Sequence, residues 1–207
     1  MSIVKLNNKA VSNATAFGSI SSLGSMTFIK KLTASASATL SFVDGTDGVV
    51  LDDTYKEYVF TYNNIHPAND GTWLLWQGST DGGSNYNVTM TTTMFDAYHN
   101  EADGSTALGY NADRDQAQST AFNYLTSWEI GNDNDQCAAG TLNLYNPSST
   151  VFVKHFTNVS NVIHPGDWTN NGFSAGYFNT TSALNAFQFK MNSGNIDAGD
   201  ICLYGIA

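Results

Sequence analysis

The sequence contains little charge, and very little positive charge. Charged residues make up 13% of the 207 residues, about half the usual share. Seven Lys and one Arg oppose 15 Asp and three Glu, and the net charge is −10. Because binding a polyanion relies on clustered Lys and Arg, the composition predicts no nucleic-acid partner. It also argues against docking on an anionic membrane and suits exposure on a particle surface.

Cysteine and long apolar segments are equally scarce. Cys137 and Cys202 lie far apart and outside any Cys-x-x-Cys spacing, so we expect two buried free thiols, with a disulfide between them as the alternative. No apolar segment is long enough to cross a bilayer, and the N-terminal residues MSIVKLNNK do not resemble a secretory signal. We therefore expect a protein that is made in the cytoplasm and released by lysis.

The sequence is rich in residues that favour sheets and turns. It holds 23 Asn, 22 Thr, 20 Ser and 18 Gly, while hydrophobic residues reach 42%. Asn, Ser and Gly disfavour helices, and Thr is typical of strands with one solvated face. A chain of this length can bury about 70% of its unfolded surface and needs no disulfide for stability.

Short β-rich segments follow one another at intervals of about 10 to 20 residues. We expect an all-β fold, an antiparallel β-sandwich of jelly-roll-like type with about ten strands. No linker divides the chain, so residues 26–207 are predicted to form one domain, preceded by an N-terminal arm or loosely packed first strand over residues 1–25. A helical turn is allowed only near 113–118, and 158–171 is predicted to be mainly loop. The predicted strands and apolar segments are 26–35, 38–45, 55–62, 72–77, 85–98, 121–130, 140–145, 151–156, 172–179, 187–191 and 201–206.

The C-terminal segment 187–206, FQFKMNSGNIDAGDICLYGI, predicts a closing hairpin. An alternating strand leads into a turn, where Ile196 is placed to fold back as a plug, and a continuous apolar strand follows. Because chain ends normally fray, an end this apolar indicates a strand tied into the core or into a neighbouring subunit. We therefore assign an assembly role to Ile201, Leu203, Tyr204 and Ile206.

No catalytic constellation is evident, and the sequence predicts a protein that is not an enzyme. No pair of histidines has the spacing of a helical zinc site, and there is no Gly-x-Ser-x-Gly elbow. Only three glutamates are available for glycoside hydrolysis, which needs two carboxylates across one cleft. The four histidines are His66, His99, His155 and His164, and the glutamates are Glu57, Glu101 and Glu129.

Two Asp-rich turns are candidates for calcium, because each gathers several oxygen ligands. The first contains Asp44 and Asp47, and the second contains Asp133 and Asp135. Neither has EF-hand spacing, and Asx-rich turns also form without a metal because their side chains bind their own backbone. We expect no obligatory cofactor, with calcium as the alternative.

Trp168 is the candidate for glycan recognition, because exposed aromatic rings stack on the apolar faces of sugars. It lies in the predicted loop HPGDWTNNG, beside Asp167 and Asn170, whose side chains can hydrogen-bond to hydroxyl groups. Packing beneath its own loop is the alternative for Trp168. Trp73 and Trp76, in contrast, are expected in the core or in an interface.

Four segments together carry a resemblance to a known group of proteins. They are YKEYVFTYNNIHPANDG, QGSTDGGSNYN, GTLNLYNPSSTVFVKHF and the ending SGNIDAGDICLYGI, and the resemblance spans about residues 32–207. The chain resembles uncharacterised virion proteins of marine tailed bacteriophages, including those of cyanobacteria. The resemblance implies a β-sandwich displayed on the phage head or tail, with a structural or adhesive role and no catalytic residues.

The expected function is that of a non-enzymatic virion structural protein, a capsid decoration or a tail or fibre component. Its expected partners are other virion proteins and further copies of itself. The alternative is a receptor-binding adhesin that recognises a host surface glycan, for which many weak sites on one particle suffice. A third hypothesis, a polysaccharide depolymerase, requires two carboxylates lining one groove.

Overall fold

The structure is a computed structural model that describes residues 25–207. All regular secondary structure in this range is β, which confirms the predicted all-β class. The predicted arm lies, apart from Ser25, outside the described residues. Residues 25–207 contain no helix long and apolar enough to cross a membrane. The strands are β1 (Met26–Ser37), β2 (Leu40–Val43), β3 (Glu57–Pro67), β4 (Leu74–Ser79), β5 (Met90–Asn100), β6 (Thr106–Tyr110), β7 (Gln116–Ser119), β8 (Asn123–Tyr124), β9 (Ala138–Tyr145), β10 (Lys154–His164), β11 (Trp168–Phe178), β12 (Ala186–Met191) and β13 (Ile196–Ile206).

The strands form two antiparallel sheets of unequal size. The nine-stranded sheet has the order β1-β13-β3-β9-β10-β11-β5-β6, and β7 also pairs with β5. The four-stranded sheet has the order β2-β12-β4-β8. Side chains from both sheets meet in one hydrophobic core, so the predicted antiparallel β-sandwich is confirmed.

The centre of the core is a cluster of aromatic rings from both sheets. Trp76 of β4 is fully buried and lies 4.9 Å from the ring of Phe156 and 5.3 Å from that of Phe178, both from the nine-stranded sheet. It also stacks on Phe187 of the neighbouring strand β12 at 5.8 Å. These rings bury a large apolar area and join the two layers.

Strand β5 shows how the sequence pattern sets the two faces of a strand. Met90, Thr92 and Met94 are buried, while Thr93 and Phe95 are exposed on the opposite face. This is the division that period-two alternation predicts. The large sheet therefore has one face against the core and one face toward solvent.

The predicted closing hairpin is wrong, because β12 and β13 belong to different sheets. β12 pairs with β2 and β4, whereas β13 pairs with β1 and β3. The connection crosses between the layers: Asn192 N donates to Trp73 O, and Asn195 O accepts from Ala68 N. Ile196 is fully buried at the start of β13, as the plug prediction expects. A hairpin and a crossing between sheets need similar turn residues, so local sequence does not distinguish them.

Three local predictions also differ from the structure. Residues 158–171 are mostly strand, because β10 and β11 form a long hairpin joined by only residues 165–167. The helical turn allowed near 113–118 is a turn followed by β7, and of the apolar segment 121–130 only β8 is a strand. Asn- and Thr-rich strands with one solvated face resemble loops in composition, and cross-strand pairing decides between the two.

Lys154 is fully buried at the start of β10, where its Nζ donates to Thr180 O at 3.1 Å. Burial lowers the pKa of this amine below its usual value of 10.5. The folded state therefore binds fewer protons than the unfolded state as pH rises toward 10.5, so the stability of the native chain increases across that window. At neutral pH the amine is charged, and burying this charge lowers the stability of the native state.

We expect Lys154→Met to raise the melting temperature by about 2–4 °C at pH 7, because it removes the buried charge and keeps a flexible apolar chain. The gain should shrink as pH rises from 9 to 11, since the amine then becomes neutral in both states. Calorimetric melting of both proteins across this range tests it, with Lys56→Met as the matched control at an exposed lysine. A gain that is constant with pH contradicts the assignment.

Candidate functional site

Trp168 is the first residue of β11, and protein rings already contact it. Its indole stacks on Tyr98 at 5.1 Å and on His164 at 5.0 Å, with interplanar angles of 19° and 23°. Trp128 lies against the same group, 5.5 Å from Trp168. Trp168 therefore packs within an aromatic cluster, which was the alternative to a sugar-binding role.

The two polar residues predicted beside Trp168 point in different directions. Asp167 is exposed, has a φ of 59°, and its Oδ1 accepts from Gln136 Nε2 at 3.3 Å. Asn170 is only 1% exposed, and its Oδ1 accepts a hydrogen bond from Ser127 Oγ inside the protein. Because Asn170 faces the interior, these residues do not share one surface that a glycan can reach.

The two Asp-rich turns are held by hydrogen bonds of the protein itself, through a side chain in the first turn and through the backbone in the second. Asp44 Oδ1 accepts from Leu51 N at 2.8 Å, and Asp47 has the left-handed φ of 51° that short Asx residues tolerate. Asp133 and Asp135 are exposed in a turn whose backbone bond runs from Gln136 N to Asp133 O. Within residues 25–207 no group of three or more His, Cys, Asp or Glu side chains is placed to hold a metal ion.

The predicted assembly residues fall on opposite faces of β13. Ile201 and Leu203 are fully buried in the core of the sandwich, so their side chains are not available to a partner. Tyr204 and Ile206 are half-buried on the solvent side. Both edges of β13 are occupied by β1 and β3, so its backbone is also unavailable for pairing with another chain.

The cysteines and the glutamates do not form shared sites. Both Cys137 and Cys202 are free thiols, and burial raises the pKa of Cys137. Glu57 lies at the start of β3 opposite Tyr145, Glu101 follows β5, and Glu129 lines a separate pocket described below. The three glutamates therefore do not line one groove.

The solvent side of the nine-stranded sheet carries three continuous rows of uncharged side chains, which we call the outer face. Within each row, every residue lies directly opposite the next residue of the row, which is on the neighbouring strand. The rows are Cys202, Thr61, Thr141, Val159, Phe173, Phe95 and Tyr110; Tyr204, Val59, Asn143, Thr157, Ala175 and Thr93; and Ala139, Asn161, Asn171, Ala97 and Leu108.

Apolar side chains are exposed near the middle of the outer face. Phe95 is 45% exposed and Val159 is 44% exposed, and the ring of Phe95 stacks on Phe173 at 5.0 Å. Phe95 could be predicted, since alternation along β5 puts it on the face opposite the buried methionines. Its neighbours Val159 and Phe173 were missed, because they fall in or beside the segment that was predicted as loop.

A pocket of about 520 Å³ opens between β6, the turn that follows β6, and residues 127–129. It combines aromatic rings, carboxylates, one guanidinium group and one amide. Sequence reasoning missed it because its residues are spread over three separate segments. Its side chains include Asp96, Tyr98, Asn111, Asp113, Arg114, Trp128 and Glu129.

Comparison of the chain with models of protein families, with curated proteins and with solved structures gave no match in any of the three cases.

Proposed function

We propose that this chain is a non-enzymatic structural protein of a bacteriophage particle, in the capsid decoration or the tail, and that it assembles with copies of itself through the outer face. The observation that carries the proposal is that the three rows of that face hold no charged side chain in a chain whose net charge is −10, with Lys31 of β1, opposite Cys202, and Glu57 of β3, opposite Ile206, at their margin. Acidic chains repel one another, and an uncharged contact surface keeps like charges out of the interface. A second copy of the chain is therefore the partner that this surface fits.

The size of the outer face is sufficient for such a contact. The three rows hold seven, six and five residues, and at about 4.8 Å between strands and about 6.8 Å between rows they cover a footprint of about 590 Å². Two copies would then bury about 1,200 Å², at the lower end of the range of roughly 1,200–2,000 Å² for specific stable interfaces. Phe95, Phe173 and Val159 supply the apolar centre, and the surrounding Thr and Asn side chains supply a polar rim.

The assignment to a virion rests on the resemblance to phage virion proteins and on the chain's composition. A surface of Asn, Thr and Ser with few charges suits a protein displayed on a particle in sea water, where salt screens electrostatic contacts. Mass spectrometry and antibody labelling of purified particles of the encoding phage test this part. We expect stoichiometric amounts of the chain in the particle, and its absence from purified particles contradicts the proposal.

The assembly role is tested by placing charge in the middle of the outer face. We expect the native protein to sediment as a homo-oligomer and the double variant Phe95→Lys, Val159→Lys to sediment as a monomer with unchanged circular dichroism. Two lysines buried at a contact would have to lose their hydration without a partner.

The matched control is Val151→Lys with Phe152→Lys, which changes the same residue types at positions that are 67% and 69% exposed in the loop before β10. This control should remain oligomeric. A monomeric native protein at tens of micromolar, or equal behaviour of the two double variants, would contradict the role of the outer face.

A further inference from the structure

Asp96 is a buried carboxylate at the wall of the pocket beside β6. It lies on the inward side of β5, is 7% exposed, and its Oδ2 accepts from Asn111 Nδ2 at 3.0 Å. Among the described residues, no donor is hydrogen-bonded to Oδ1 and no Lys, Arg or His forms an ion pair with it. Oδ1 is not among the fully buried side-chain atoms that lack a partner, so it opens to the pocket as an acceptor with no donor from the protein.

Arg114, the cation in the same pocket, is held elsewhere. Its guanidinium lies over the ring of Trp73 at 4.5 Å and over that of Tyr124 at 4.9 Å, and Nη1 donates to Asp113 O at 2.9 Å. These contacts fix Arg114 at the pocket wall and leave the charge of Asp96 unpaired. The free acceptor is therefore available to hydrogen-bond donors that enter the pocket.

Aromatic rings form the wall next to Asp96. Tyr98 and Trp128 line the pocket with their ring centroids 5.8 Å apart. Trp168 braces both of them from outside the pocket lining, because it stacks on Tyr98 and contacts Trp128. Rigid aromatic rings beside a fixed acceptor match a sugar, because the faces of a sugar ring carry C–H groups and its rim carries hydroxyl groups.

We propose that this pocket binds a neutral saccharide, whose hydroxyl groups donate to Asp96 Oδ1 and whose apolar face lies against Tyr98 and Trp128. The carboxylates of Asp96, Asp113 and Glu129 outnumber the one guanidinium of Arg114 in the lining, which disfavours acidic sugars. The volume of 520 Å³ lies within the roughly 300–1,000 Å³ of small-molecule sites. Leu108 and Tyr110 belong both to the pocket lining and to the edge of the outer face, so a monomeric variant is needed to test saccharide binding apart from assembly.

The saccharide site is adjacent to the one expected from the sequence but uses different residues. Trp168 supports the aromatic wall and makes no direct contact with the ligand. Asp96 takes the hydrogen-bonding role that the sequence assigned to Asn170, and Trp128 takes the stacking role that it assigned to Trp168. An oligomer carries one such pocket on each copy, so a weak site gains strength by avidity when several copies engage one surface.

The test probes the full chain with immobilised neutral hexose and N-acetylhexosamine oligosaccharides, with uronic-acid oligosaccharides, and with putrescine as a cationic ligand. We expect binding to at least one neutral oligosaccharide, and no binding to uronic acids or putrescine. Isothermal titration then compares the native protein with Asp96→Asn, which keeps the side chain's shape and removes its charge. We expect a loss in affinity of about 10-fold or more, the effect of weakening a hydrogen bond to a charged group.

Asp53→Asn is the matched control, since Asp53 is exposed and outside the pocket lining, and its affinity should be unchanged. Thermal melting provides a control: Asp96→Asn should keep a cooperative transition, so that a lost affinity does not result from unfolding. Binding by the monomeric Phe95→Lys, Val159→Lys variant separates this proposal from assembly. The proposal is overturned by absence of saccharide binding, by binding only of uronic acids or putrescine, or by unchanged affinity in Asp96→Asn.

Discussion

Replacing Trp76 with alanine is expected to lower the free energy of unfolding by about 3–5 kcal/mol, the range for removing a large aromatic side chain from a core. The indole is fully buried and contacts rings of both sheets, at 4.9 Å from Phe156 and 5.8 Å from Phe187. Its loss leaves a cavity where the two layers meet, and rings held by the backbone of two sheets have little freedom to fill it. Urea denaturation followed by circular dichroism measures the change.

Phe152→Ala is the control for Trp76→Ala, because Phe152 is an aromatic residue that is 69% exposed. Its substitution should change stability by no more than about 0.5 kcal/mol. If Trp76→Ala costs less than about 1 kcal/mol, the packing of β4 against the large sheet is not as described.

Deleting residues 199–207 is expected to abolish the cooperative fold. β13 lies between β1 and β3 in the nine-stranded sheet, so the deletion removes most of the pairing of β1 and leaves β3 paired along most of its length only with β9. It also removes Ile201 and Leu203 from the core. Loss of the sharp thermal transition, with insoluble expression, is the expected observation, whereas a soluble truncated chain with an unchanged melting temperature would refute the placement of β13.

Point substitutions separate a packing role of β13 from an assembly role. Leu203→Ala should cost about 2–5 kcal/mol because Leu203 is fully buried, whereas Ile206→Ala, on the half-buried solvent side, should cost markedly less. Both variants should keep the oligomeric state of the native protein at temperatures where they are folded. These outcomes would assign Leu203 and Ile206 a role in folding and none in association.

The parts of the fold that could be predicted are those with a local cause. Alternation along β5 gave the buried set Met90, Thr92 and Met94 directly, since side chains of a strand point to opposite faces in turn. The β10–β11 hairpin was missed because Asn158, Asn161 and Asn171 suggest a loop. In the structure Asn158 is buried, where Nδ2 donates to Leu125 O and Oδ1 accepts from Tyr62. Such long-range hydrogen bonds make a polar residue compatible with a strand interior, and they leave no local signal.

The residues of the candidate sites also divide into those that local sequence indicates and those that only long-range contacts bring together. The sequence indicated Trp168, with Asp167 and Asn170, as the candidate for glycan recognition, and the two Asp-rich turns as candidates for calcium. It did not bring Asp96, Asn111 and Trp128 together, because that pocket is formed by three segments that meet only in the folded chain. Nor did it give the outer face, whose rows depend on the register of seven strands.

By itself the sequence determined the all-β class, the alternation of individual strands, and the lack of the positive charge that nucleic-acid binding needs, because composition and period-two patterning act within a few residues. Only the tertiary structure decided that β12 and β13 lie in different sheets, that Ile201 and Leu203 face the core, and that Asp96 is buried at a pocket. Those features depend on which strands pair and which layers pack, and the free energy that selects them comes from contacts between residues far apart in the chain.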